Sequence, residues 1–343
     1  MPNRFELGLD TFGDVTLGPD GALQPQARVL RDVVEEAILA DDLGLDAFGV
    51  GEHHRPDFAI SAPEVMLAAI AGRTKRILLG SAVTVLSTDD PVRVFQRFST
   101  LDAVSNGRAE VILGRGSFIE LFPLFGFDLN QYEALFDEKL DLFAAVLKQQ
   151  PVTWRGTTRP PLENQSVYPK TETGRLTTWI GVGGTPQSVI RAATYDMPMM
   201  LAIIGGDPKR FAPFAELYRG TLKDMGKPEL PVGVHSHGFV GETDSQARED
   251  LFADYKRMRD KIGAERGWSP LSRADFEREI DRGSLYVGSP ETVARKIAGT
   301  VKALKVGRFD LKYSAGPLSH EKIMRSIELY GRKVIPLVRE MLA

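Results

Sequence analysis

The chain has 343 residues, 43% hydrophobic and 26% charged, values of a globular protein with a large apolar core, and they exclude a disordered chain. Its 43 basic and 46 acidic residues leave a formal net charge of -3 with no Lys/Arg-rich run, which argues against a nucleic-acid partner. The absence of cysteine excludes disulfides, thiolate nucleophiles, iron–sulfur clusters and Cys-based zinc sites. The opening MPNRFELGLD has no basic-then-apolar signal pattern, and no apolar run approaches the ~20 residues that span a bilayer, so a cytoplasmic protein without a membrane partner is expected.

Short apolar segments alternate with amphipathic ones from end to end, the pattern of a parallel sheet covered by helices. Strands are predicted at residues 5–9, 47–50, 77–85, 109–113, 178–182, 199–203, 232–239 and 309–312. Helical spacing of apolar residues marks 24–43, 63–74, 91–105, 128–149, 186–195, 208–225, 244–263, 290–304 and 319–342. Several of these helices start with proline behind Ala62, Thr185, Asp207 or Ser289, each placed to act as a cap. The strand count favours an α/β fold of the closed (β/α)8 TIM-barrel type, with residues 1–343 as one domain, over an open doubly wound sheet of similar rhythm. Two stretches exceed normal loop length: 150–177, a surface hairpin around TWRG and PP inserted after the fourth helix, and 266–289, an insertion between strands seven and eight.

In a parallel barrel the chemistry gathers at the C-terminal ends of the strands. After the second strand stands GVGEHHR, with Glu52, His53 and His54 adjacent. Neighbouring side chains on extended backbone point to opposite faces, so at most one histidine is expected in the barrel mouth. Such a pair can be a metal fragment, a hydrogen-bonded structural histidine, or a general base whose ordinary pKa lies near neutrality. The third strand, GSAVTVLSTDDP, shows only small residues and a β-branched run, which is ordinary buried packing. The fourth ends in VILGRGSF, where two glycines let the backbone approach a ligand and Arg115 offers a planar fork for phosphate or carboxylate. After the fifth, WIGVGGTPQSV passes through Gly183, Gly184 and Thr185 into a helix, an anion site built from backbone amides with the Thr185 and Ser188 hydroxyls nearby. On the seventh, His235 and His237 share one face, a spacing that suits a metal or hydrogen-bonding rings under a ligand, and no metal is assigned. His320, at the start of the last helix, is expected to be solvated.

Taken in order, EHH, GSAVTVLSTDDPVR, LDAVSNGR, GRG, the GGTPQSV turn and the closing GSPETVARKI resemble the bacterial-luciferase-like flavin monooxygenases over nearly the whole chain. Within that family the opening FELGLDTFGDV is most similar to a branch of uncharacterised FMN-dependent oxidoreductases. The resemblance implies reduced flavin mononucleotide (FMN) in the barrel mouth, its phosphate held by Arg115 and the turn at Gly183, Gly184, Thr185 and Ser188. It implies a non-proline cis peptide at Ala82–Val83 supporting the flavin ring, catalytic roles for His53 and the adjacent His54, and Glu52 contacting the flavin or orienting the pair. It further implies a homodimer, and a separate flavin reductase that supplies the reduced cofactor. The expected reaction is with dioxygen, giving a flavin C4a-hydroperoxide that oxygenates a small-molecule substrate under a lid formed by residues 118–127 and 266–289. Gly114 stands where luciferases carry a reactive cysteine, so light emission is not implied. The alternatives are a deazaflavin-dependent hydride-transfer enzyme and a non-catalytic flavin-binding protein.

Overall fold

The computed structural model describes residues 5–343. Its elements are β1 (Glu6–Thr11), α1 (Gln26–Asp42), β2 (Ala47–Val50), α2 (Pro63–Ala71), β3 (Leu78–Ser81), β4 (Thr84–Val85), α3 (Pro91–Val104), β5 (Ala109–Gly114), α4 (Leu121–Phe125) and α5 (Tyr132–Leu147). They continue with β6 (Val152–Trp154), β7 (Leu162–Gln165), β8 (Thr177–Val182), α6 (Pro186–Thr194), β9 (Met199–Ala202), α7 (Ala212–Asp224), β10 (Val232–Val240) and α8 (Asp244–Arg266). The last are α9 (Arg273–Arg282), β11 (Tyr286–Gly288), α10 (Pro290–Leu304), β12 (Arg308–Lys312), α11 (His320–Leu329) and α12 (Ile335–Leu342).

Parallel pairing runs through β1, β2, β3, β5, β8, β9, β10 and β12, and β12 pairs back to β1, so the sheet closes as an eight-stranded (β/α)8 barrel. Closure leaves no edge among those eight strands and buries both strand faces, one inside the barrel and one beneath the helices. Leu7, Leu9, Phe48, Val111, Val234 and Phe309 belong to the main apolar core with the inner faces of the helices. β6 and β7 form the expected antiparallel hairpin after α5. No described helix is long and apolar enough to cross a membrane.

The interior of the barrel is layered and polar. Because side chains alternate along a strand, Arg308, Asp310 and Lys312 of β12 face the same way. They stand in register with Gly233, His235 and His237 of β10. In the lower layer Arg308 is fully buried and donates through Nε to Asp310 at 2.9 Å and through Nη1 to Glu110 Oε1 at 2.5 Å. Trp179 Nε1 donates to the other oxygen of Glu110 at 3.2 Å. Gly8 makes room for this cluster, since a Cβ there would lie 2.2 Å from Asp310 Oδ1. Burial raises the Asp310 carboxyl to about 6 against the opposing pull of Arg308.

Several elements differ from the sequence reading. The strand expected over 77–85 is two strands, β3 and β4, separated by a cis Ala82–Val83 bond. The insertion 266–289, expected as loop, contains α9 and β11, the latter pairing with β10. α9 is mostly polar and buries only Phe276 and Ile280, too few apolar positions to signal a helix, although Ser272 caps it by accepting from Asp275 N. The lid segment 118–127 likewise contains α4. The single helix expected over 319–342 is α11 and α12 joined through a π-helical segment at Tyr330–Val334. Asp207 and Ser289 cap as expected, whereas Ala62 and Thr185 supply no side-chain cap. His320 is half-buried rather than solvated, with Nδ1 3.0 Å from Glu36 Oε1.

Candidate active site

The C-terminal ends of the strands open into a cavity of about 1000 Å³. His53, just beyond β2, lines it. Its backbone N donates to Ile60 O at 2.9 Å, which fixes the chain where EHH leaves the strand. Three aromatic rings wall the imidazole: Phe12 and Phe118 edge-on at centroid distances of 4.4 and 5.1 Å, and Phe58 tilted at 4.6 Å. Nε2 is shielded and has no partner. Burial, reinforced by the nearby Lys312 charge, pushes its pKa down to about 3, so the ring is neutral near pH 7. A neutral, unpartnered imidazole nitrogen at a cavity wall can accept or donate one proton.

Extended backbone sends His54 the other way. It is not part of the cavity wall; its Nε2 donates to Glu52 Oε1 at 2.9 Å, and its ring meets Phe125 edge-on at 5.0 Å. Glu52 does reach the cavity, and its second oxygen accepts from Val85 N at 2.8 Å. Glu52 N also donates to Val83 O at 3.2 Å. Glu52 thus ties the end of β2 to the residues just beyond the cis bond. Ala82 and Val83 line the cavity, and the surrounding glycines make space for their backbone. A Cβ at Gly51 would lie 2.6 Å from Ala82 O, and one at Gly114 would lie 2.5 Å from Val83 Cγ2. The luciferase cysteine position therefore has no room for a side chain here.

β5 and β8 are neighbours in the barrel, which brings Arg115 to the turn at Gly183. Arg115 and Gly183 line the cavity; Gly184, Thr185 and Ser188 lie just outside its wall. Arg115 Nη2 donates to Ser188 Oγ at 3.3 Å, and Ser188 Oγ is 2.8 Å from Thr185 Oγ1. Thr185 thus spends its hydroxyl on Ser188 rather than on capping α6. Gly184 has φ +109°, a conformation that favours glycine, and nothing lies within 4 Å of where a Gly183 side chain would begin. A fork, two hydroxyls and open backbone at a helix start form a fitting cradle for a phosphate dianion.

The floor of the cavity holds residues the sequence reading did not assign. Asp10 Oδ2 accepts from His235 Nδ1 at 2.6 Å, which orients the ring. Lys312 donates to Asp14 Oδ2 at 2.8 Å and to Ser314, and lies 4.4 Å over Phe12. His237 is half-buried beside His235 at a ring distance of 6.1 Å, and loss of solvation holds its pKa well below the usual value. The shared face of His235 and His237 was visible from their spacing. Asp10 and Lys312 carried no local signal.

The family profile for "Luciferase-like monooxygenase" matches residues 11–306. The alkanal monooxygenase alpha chain of Photorhabdus luminescens is 28% identical over 369 residues, covering 96% of this chain and 97% of its own. Among solved structures, the monooxygenase RslO1 from Streptomyces bottropensis superposes with a TM-score of 0.85 at 22% identity, covering 96% of this chain and 99% of its own. The oxygenating constituent of 3,6-diketocamphane monooxygenase from Pseudomonas putida, solved in complex with FMN, superposes with a TM-score of 0.76 at 20% identity over 97% and 98% of the two chains. The chain belongs to the luciferase-like monooxygenase family.

Proposed function

We propose that the protein is an FMN-dependent monooxygenase that uses dioxygen to oxygenate a small organic substrate. The observation that carries this reading is the buried, unpartnered Nε2 of His53 on the wall of a cavity whose margin also holds the Arg115–Ser188–Thr185 cradle. When bound, reduced FMN supplies the two electrons with which one oxygen atom of dioxygen enters the substrate and the other leaves as water. Arg115, Gly183, Gly184, Thr185 and Ser188 would hold its phosphate, and Ala82 and Val83 would support its ring. In this reading a separate reductase supplies the reduced flavin.

The protein's own contribution is placement, exclusion of water and one proton. His53, neutral and without a competing partner, holds or moves a proton at Nε2. Phe12, Phe58 and Phe118 keep water from that nitrogen. Glu52 keeps the cis segment in register with β2, and His54 steadies Glu52, which makes His54 a positioning residue rather than a catalytic one.

The test is an anaerobic titration with photoreduced FMN and, in parallel, with a reduced 8-hydroxy-5-deazaflavin, followed by rapid mixing with oxygenated buffer. Tighter binding of reduced FMN, with reoxidation in kinetically separate phases distinct from free flavin, is expected. Preference for the deazaflavin would move the protein to hydride transfer. Reoxidation at the rate of free flavin would leave only a binding role.

A further inference from the structure

The wall of the cavity carries a guanidinium that, among the described residues, no hydrogen bond or ion pair engages. Arg259 of α8 lies 4.0 Å over the ring of Trp268 and lines the cavity. Its Nη1 is shielded and unpartnered, and among the described residues no hydrogen bond or ion pair engages the side chain. The other cations of the wall have other uses: Arg115 belongs to the phosphate cradle, Arg278 pairs with Asp275 and Lys312 with Asp14, while Arg266 donates to the Ser117 carbonyl at 2.8 Å. The acids are occupied too. Asp10 is held by His235, Glu52 by His54 and Val85 N, Asp310 by Arg308, and Glu279 accepts from Gly206 N at 3.2 Å. Among the described residues no carboxylate pairs with Arg259, and the adjacent Asp260 is held by Lys256 and by Leu271 N.

Its position is built into the helix. A Cβ at Gly263, one turn along α8, would lie 3.0 Å from Arg259 Nη1 and 3.3 Å from Trp268 Cβ, so glycine, a poor helix former, makes space for the stacked pair. Ring contacts then lead from this pair to the candidate proton-transfer group. Arg266 lies 5.3 Å from the Trp268 ring and 5.0 Å from that of Phe118, and Phe118 meets His53 at 5.1 Å. The wall also carries apolar side chains, among them Phe12, Phe58, Met200, Phe211 and Ile262.

We propose that Arg259, held flat by Trp268 and flanked by Arg266, binds the carboxylate of the substrate, so that the enzyme acts on amphipathic organic acids. The apolar body of the acid lies along the Phe118 wall and its far end meets His53. The role of that far end rests on the monooxygenase reading above; the carboxylate site does not.

The experiment is calorimetric titration of FMN-loaded and FMN-free protein with 2-naphthoate and with its neutral analogue 2-naphthamide at fixed ionic strength. Wild-type, Arg259→Gln, Arg259→Lys and Arg115→Gln proteins are compared. Naphthoate is expected to bind about tenfold or more tightly than the amide, as a charge-assisted fork contact provides. Arg259→Gln is expected to abolish that preference, Arg259→Lys to restore part of it, and Arg115→Gln to leave it intact. Unchanged FMN affinity in Arg259→Gln shows that the fold survives. Equal binding of acid and amide, no binding of naphthoate at millimolar concentration, or loss of the preference only in Arg115→Gln would overturn the assignment. If FMN itself fails to bind while the preference stands, the flavin reading falls and the carboxylate site remains.

Discussion

Replacing Arg115 by glutamine removes the fixed cation from the phosphate cradle while disturbing little else. Its present partners are weak holds on the fold: Glu133 is 58% exposed, so that pair contributes about 1 kcal/mol or less, and the contact with Ser188 Oγ is long at 3.3 Å. The cation–π contact with Tyr132, at 5.2 Å, is also partly exposed. Against a phosphate, one charged fork contributes about 1.5–3 kcal/mol, which is about 10–150-fold in FMN dissociation constant. Riboflavin carries the same ring without the phosphate, so its affinity should change by less than about twofold, a few tenths of a kcal/mol. Quenching of flavin fluorescence by wild-type and Arg115→Gln protein, with FMN and riboflavin side by side, measures both numbers. If the variant binds FMN as wild type does, or loses riboflavin equally, Arg115 does not hold the phosphate and the cradle belongs to another anion.

His53→Gln should abolish oxygenation without loss of FMN binding, and unchanged turnover would remove His53 from the chemistry. The same variant tests burial. The His53 pKa falls from 6.5 in the unfolded chain to about 3 in the folded one, so its contribution to stability is complete above pH 6.5 and lost as pH falls toward 3. At pH 5 that loss is 1.36 kcal/mol times 1.5 units, about 2 kcal/mol, so His53→Gln should be spared about that much of the destabilisation wild type shows in urea between pH 7.5 and 5; identical pH dependence would contradict a neutral buried ring. Arg308→Met leaves Glu110 and Asp310 buried without their shared cation and should cost about 3–5 kcal/mol in urea unfolding at pH 7; a loss under about 1 kcal/mol would show that the cluster is already neutral.

Local chemistry was legible in the chain. The alternation of apolar and amphipathic segments located all eight barrel strands, because both faces of a parallel strand must be apolar or inward-packed whatever the rest of the fold does. Asp207 and Ser289 were visible as caps because a cap satisfies amides two or three residues away. The GRG and GGTP turns could be read as anion sites because glycine and a helix start act within a few residues. The adjacency of His53 and His54 already required that only one could face the mouth.

What could not be read depends on contacts that cross the barrel. α9 shows too little apolar surface to declare itself, and it forms because Phe276 and Ile280 find a place in the core. The Asp10–His235 pair joins residues 225 positions apart, and the Lys312–Asp14 pair joins residues 298 apart. Neither charge has a local partner, so only closure of the sheet, β12 beside β1 and β10, decides which of them meet. The same closure sets Arg259 and Trp268 against the wall that leads to His53. Sequence by itself located the eight barrel strands and placed glycine turns at helix starts, since those follow from interactions along the chain. Tertiary structure alone decided which cations meet a carboxylate and which do not, because charge balance in a buried cavity is a property of every element that faces it.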